Sequence, residues 1–258
     1  MTLHHVREGA GPALVLLAGI GMDGSAWAPV LPRLTPERDV WRVDLPGFGG
    51  SAALADEPPG IAALAGATER FVLAVGLERP HVAGNSLGGA VALELARRGS
   101  VASATALSPV GFWSPAEAAF ARRSLLATHA IAARLRARAP ALLRRPRLRR
   151  LLYGQIYARA DRLPPAVAYA SMCTMLDGTA FHATLAASHG HRVTGPLAAP
   201  ATIAWGTRDA LLLPTGALRA RRALPEARHV WLRGCGHVPM SDDPAQVERV
   251  LLEGSRGS

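Results

Sequence analysis

The sequence contains no lysine: all 29 of its basic residues are arginine. It has two cysteines, Cys173 and Cys235, far apart in the chain, which excludes a disulfide framework and makes a reduced setting the expectation. No apolar run approaches the roughly 18–20 residues of a membrane span. The longest, Ala13 to Ile20, reads as a buried strand. The opening residues Met1-Thr2-Leu3-His4-His5 lack the basic and apolar regions of a secretory leader, so a cytoplasmic protein is expected. Aromatics make up only 5% and few lie among the arginines, so nucleic-acid binding is not expected. What the chain does have is an apolar fraction of 49% over 258 residues, enough for one large α/β domain or a core with an insertion.

The net charge of +10 is concentrated in one place. Between Arg122 and Arg162 stand twelve arginines, at 122, 123, 134, 136, 138, 144, 145, 147, 149, 150, 159 and 162, against the single acid Asp161. A coding bias towards arginine accounts for the missing lysine but not for this clustering. The chain therefore reads as a near-neutral body carrying one cationic segment, a surface suited to an acidic partner.

Short apolar runs alternate with helical stretches through the first half, the pattern of a parallel sheet covered on both faces. Strands are expected over Leu14–Ala18, Val40–Asp44, His81–Ala83 and Val101–Ser108, and helices over Ala26–Leu34, Ile61–Val75 and Leu87–Arg98. The alternation breaks after Ser108-Pro109. Ser114-Pro115-Ala116-Glu117 has the form of a capping box, and Ala- and Arg-rich helical sequence follows to about His191, interrupted by Pro140, Pro146 and Pro164-Pro165. Strand character returns at Ala201–Trp205 and His229–Leu232. Asp242 and Asp243 are expected to cap a last helix running through Leu252, with a frayed tail from Gly254 to Ser258. The expected layout is a core over 1–111 and 192–258 with a helical cap over 112–191.

Gly84-Asn85-Ser86-Leu87-Gly88 follows a strand and precedes a helix, the setting in which a G-x-S-x-G turn presents a serine nucleophile. The turn is tight enough that only glycine fits at 84 and 88, and Ser86 lies at a helix N-terminus that favours developing negative charge. A serine hydroxyl needs a base, and the base an orienting acid. Of nine histidines, His237 lies in the glycine-rich loop Gly234–Pro239 at the carboxyl end of the last strand, where ligand sites form. Asp209 follows the strand Ala201–Trp205 and completes the chain order Ser, Asp, His. Two N–H donors should hold the oxyanion: Leu87 after the nucleophile and Ile20 in the loop Ala18–Met22, with Met22 the alternative second donor. Met22, Trp27, Phe112, Trp113, Leu211 and Val238 are candidate walls of an apolar substrate pocket.

Together these segments resemble the α/β-hydrolase superfamily across almost the whole chain, most weakly in the arginine-rich part. Asp44-Leu45-Pro46-Gly47-Phe48-Gly49-Gly50-Ser51 is similar to a family loop of mainly structural use. The resemblance implies a mostly parallel sheet, a cap that sets substrate choice, and hydrolysis of an ester or thioester of a largely apolar acyl group through an acyl-enzyme, with no metal or organic cofactor. Ala18-Gly19 stands where many relatives have His-Gly. The elbow also resembles that of carbon–carbon bond hydrolases, and some relatives on this fold are ligand receptors. An acidic carrier protein or a coenzyme A thioester is the partner the cationic cap would suit.

Overall fold

The computed structural model describes residues 2–256. Seven strands form one sheet: β1 (His5–Gly9), β2 (Ala13–Leu17), β3 (Asp39–Val43), β4 (His81–Asn85), β5 (Ser103–Leu107), β6 (Ala201–Gly206) and β7 (Arg228–Leu232). Their order is β1-β3-β2-β4-β5-β6-β7. Only β1 runs antiparallel to its neighbour β3; every other pairing is parallel. The expected strands are all present, within two residues at each end. The expectation missed β1, whose sequence HVREG has no apolar run because most of it is exposed at the sheet edge.

The central strands are apolar throughout because both faces are covered. In β2 the residues alternate between two cores: Val15 and Leu17 pack on one side, Leu14 and Leu16 on the other. The first side is closed by α1 (Ile61–Ala74) and α2 (Leu87–Arg98), through residues such as Leu64, Phe71, Val91 and Leu95. The helix α2 ends where expected, on Gly99 in the left-handed conformation (φ 73°). The second side is closed by the short turns Gly24–Val30 and Leu31–Leu34 and by the C-terminal helix Pro244–Gly254. Between β5 and β6 the described residues form no strand. They form α3 (Pro115–Leu135), α4 (Pro146–Tyr153), α5 (Pro165–Asp177) and α6 (Phe181–Ser188), with short turns between.

The Ser114 capping box is formed in full, with side chain and backbone exchanging bonds with Glu117. Prolines stand at the starts of α4 and α5. A further helix, α7 (Thr215–Ala223), lies between β6 and β7, and α8 (Pro244–Gly254) closes the chain. Two expectations about this end are corrected. Gly254 is helical and Ser255 is buried, its hydroxyl and carbonyl accepting from the Arg38 guanidinium at 3.1 and 3.2 Å, so the chain is held as far as Ser255. Gly257 and Ser258, like Met1, lie outside the described residues. Asp243 caps α8 by accepting from Gln246 N–H at 3.0 Å, whereas Asp242 does not cap it.

Candidate active site

The turn between β4 and α2 carries Ser86 with φ 55° and ψ −111°, a left-handed conformation that a side chain adopts only when its surroundings impose it. The flanking glycines are what allow the turn to close this tightly. A Cβ on Gly84 would stand 2.1 Å from Gly88 O, and one on Gly88 would stand 2.4 Å from Leu17 O. Ser86 N–H donates to Leu107 O at 2.9 Å, which pins the turn to the neighbouring strand. Ser86, Asp209 and His237 are all buried.

His237 and Asp209 come from loops at the same sheet edge. Asp209 Oδ2 lies 2.8 Å from His237 Nδ1. Its other oxygen accepts from Leu211 and Leu212 N–H at 3.0 and 2.8 Å, which fixes the carboxylate plane. With Nδ1 engaged, Nε2 is the ring nitrogen left for proton transfer. Two buried polar side chains hold the histidine loop. Asn85 Nδ2 donates to His237 O at 2.9 Å and to Leu107 O at 3.1 Å. Asp242 accepts from Gly236 N–H at 2.8 Å, and also from Ala158 and Arg159 N–H at 2.9 and 2.8 Å. Asp242 thus joins the histidine loop to the helical insertion, a role that its place beside Asp243 in the sequence does not signal.

Leu87 is the first residue of α2, so its N–H has no intrahelical acceptor. Of the two candidates for a second donor, Met22 N–H is already bonded to Gly19 O at 3.2 Å, while no main-chain acceptor among the described residues takes up Ile20 N–H. The loop comes close to the serine: a Cβ on Gly19 would lie 3.4 Å from Ser86 Cβ. The Asp44–Ser51 loop is organised by Asp44, whose carboxylate accepts from Gly24 and Gly50 N–H at 2.7 and 2.9 Å.

A chamber of about 30 Å³ opens over Ser86. Ile20, Leu87, Trp113 and Leu211 line it, as do Ala118, Ala121, Arg122 and Leu125 of α3 and Ser188 and His189 at the end of α6. Trp113 Nε1, Ser188 Oγ and His189 Nδ1 are buried without a hydrogen-bond partner. The spacing 118, 121, 122, 125 is a helical face visible in the sequence, although nothing there tells what it faces.

Of the six candidate pocket residues, Trp113 and Leu211 line this chamber and Met22 lines a second cavity beside it. The other three are corrected. Trp27 is fully buried in the core beneath the sheet. Phe112 packs edge-on against Trp205, with ring centroids 6.5 Å apart, in a neighbouring crevice that Ser86 does not line. Val238 is core as well, its N–H donating to Ile156 O at 3.0 Å.

Eleven of the twelve clustered arginines are exposed. The exception, Arg149, is buried, and its guanidinium donates to the carbonyls of Leu143 and Asp161, both at 2.6 Å. It is a structural residue rather than part of a docking face. Among the described residues no group of His, Cys, Asp and Glu is arranged to hold a metal ion, and no helix is long and apolar enough to cross a membrane.

Pimeloyl-[acyl-carrier protein] methyl ester esterase of Methylococcus capsulatus is 46% identical over 110 residues, which cover 42% of this chain and 41% of that protein. The match therefore spans well under two thirds of that relative. Among solved structures, an esterase from Thermogutta terrifontis aligns with a TM-score of 0.74 at 22% identity, covering 97% of this chain and 92% of that one. The 2-hydroxy-6-oxo-6-phenylhexa-2,4-dienoate hydrolase of Rhodococcus sp. strain RHA1 aligns with a TM-score of 0.75 at 22% identity, covering 98% and 94%. At such identities these structures speak to the fold alone. The pattern of the alpha/beta hydrolase family matches residues 14–250, nearly the whole chain, and the protein belongs to that family.

Proposed function

We propose that the protein is a serine esterase or thioesterase acting on a largely apolar acyl substrate. One observation carries this reading: the 2.8 Å contact of Asp209 with His237, held by Asn85 against the turn that presents Ser86. In the proposed cycle His237 Nε2 takes the proton of Ser86 Oγ as the oxygen attacks the acyl carbonyl. Asp209 stabilises the imidazolium, and the N–H groups of Ile20 and Leu87 hold the oxyanion. Collapse expels the alcohol or thiol with a proton from His237. Water then attacks the acyl-enzyme by the same route and releases the acid, so no metal or organic cofactor takes part.

The arginine-rich helices between β5 and β6 act in this reading as a cap over Ser86, spanning about residues 112–191. The relative from Methylococcus is named for a substrate borne on an acyl carrier protein. With the exposed arginines, that supports an acidic carrier protein or a coenzyme A thioester as the partner docked there. Neutralising exposed Arg144, Arg145, Arg147 and Arg150 together should then lower kcat/KM for a carrier-linked acyl substrate and reduce its salt dependence, with small esters little affected.

The decisive test is Ser86→Ala. It should remove most turnover of p-nitrophenyl acetate and all labelling by a fluorophosphonate probe, with the fold retained. Turnover equal to the parent protein would refute the assignment. Labelling of the parent without repeated turnover would instead favour a receptor on the same fold.

A further inference from the structure

Beside the Ser86 chamber lies a cavity of about 310 Å³, roughly ten times larger, which the proposed chemistry does not use. Ile20 and Leu125 line both spaces, so the two meet at these side chains. The same face of α3 that roofs the chamber continues along the larger cavity through Thr128, Ala132 and Leu135, three or four residues apart at each step. The opposite wall comes from α4 and α5. Three of the chain's five methionines, Met22, Met172 and Met175, contribute, giving an unbranched and adaptable surface. Ile131 and Leu151 line it as well and are exposed, so the cavity reaches the protein surface at these two residues.

Two magnitudes set what each space can take. A water needs about 10–15 Å³ by this measure, so the Ser86 chamber admits only a few atoms. The larger cavity falls at the lower end of the roughly 300–1,000 Å³ of small-molecule sites. The wall is mainly apolar, but Ser124, Thr128, Tyr153, Gln155 and Ser171 also line it. Ser124 Oγ donates to Gln155 Oε1 at 2.5 Å, which orients the amide, and Gln155 Nε2 is buried with no partner. A buried donor without an acceptor is unfavourable, and a ligand oxygen at this point would satisfy it.

We propose that the larger cavity seats a long apolar acyl chain, led from Ser86 between Ile20 and Leu125, and that Gln155 Nε2 donates to an oxygen borne on that chain. The substrate class is then a long-chain acyl ester or thioester oxygenated along its chain, such as an oxo-acyl group. The inference rests on Ser86 as the nucleophile.

The test is a series of p-nitrophenyl esters from acetate to dodecanoate, with a second series of oxo-decanoates substituted at each position from 5 to 9. The parent protein should favour decanoate over acetate at least tenfold in kcat/KM, and one oxo isomer over decanoate at least fivefold. Filling the cavity with Ala132→Trp, or with Thr128→Trp at a less buried wall position, should lower the decanoate-to-acetate ratio at least tenfold. Gln155→Leu should abolish the preference for the oxo isomer and raise the ratio for plain decanoate. A parent ratio near one, or a parent ratio retained in both folded tryptophan variants, would overturn the chain seat. Absence of any preferred oxo isomer would overturn the role of Gln155. Either result leaves Ser86-dependent acetate turnover standing, whereas loss of that dependence strikes the catalytic assignment itself.

Discussion

The side-chain amide of Asn85 donates to the main-chain carbonyl of His237 at 2.9 Å, joining residues 152 apart in sequence. Asn85 is fully buried, and its second bond, to Leu107 O, ties the same group to β5. Asn85, the residue before Ser86, therefore sets where the histidine loop stands. Asn85→Ala leaves His237 O without its donor, while Leu107 O keeps the Ser86 N–H, and should cost about 1–3 kcal/mol of stability. Because the loop is then free to shift, kcat should fall roughly ten- to hundredfold with KM little changed. Steady-state kinetics beside a melting curve separate the two effects. A stable variant with parental kcat would show that the bond has no part in positioning His237.

The glycines of the turn should differ in tolerance by the contacts a methyl group would make. On Gly88 it would meet the carbonyls of Leu17 and Ala18 at 2.4 and 2.6 Å; on Gly89 the nearest atom is Gly84 O at 3.1 Å. Gly88→Ala should thus cost more than about 4 kcal/mol, beyond the range of ordinary substitutions, and yield little soluble protein. Gly89→Ala should fold with a modest drop in Tm. Equal melting temperatures for the two would contradict this account.

How much of this was legible depended on the kind of signal. Ser86, Asp209 and His237 sit in glycine-rich loops at the ends of apolar strands, and both features are local in sequence. The edge strand β1 was illegible because its exposed residues show neither an apolar run nor a clean alternation. Asp242 was misread because one acidic residue beside another looks like a cap, while its partners at Ala158 and Arg159 lie more than 80 residues away. Trp27 stands close in sequence to the Ala18–Met22 loop, yet the Gly24–Val30 turn directs it into the core. The inward face of α3 could be read as a face, but what it covers is a fact of tertiary packing.

The two thiols should react very differently. Cys235 is buried, and burial, with the nearby carboxylates of Asp242 and Asp243, pushes its thiol up to about 12. Cys173 is only partly buried, on α5. Since the thiolate is the reacting species, iodoacetamide at pH 8 should modify Cys173 alone in the native protein and both residues once it is unfolded. Mass spectrometry of the two peptides reads this directly, and comparable native modification of Cys235 would mean that its loop opens readily.

Glu117 ties the first turn of α3 to α7. Its carboxylate accepts from Thr215 Oγ1 at 2.6 Å and from Ser114 N–H at 2.6 Å, and pairs with Arg219 at 2.8 Å. Burial alone would raise its pKa, but the bonds from Thr215, Ser114 and Arg219 outweigh that and hold it at about 2, against an ordinary 4.5. Folding therefore favours the ionised form. The stability this contributes is fully present above about pH 4.5 and is lost as the pH falls towards 2. With allowance for partial solvent screening it amounts to about 1–2 kcal/mol. Glu117→Gln should lower Tm at pH 7, where the carboxylate is ionised, and should flatten the fall of Tm between pH 4.5 and 2. Below pH 2 the variant and parent curves should converge, because the Glu117 carboxyl is then largely protonated and both side chains are neutral. Parallel curves over the whole range would mean that Glu117 holds the start of α3 by its shape and not by its charge.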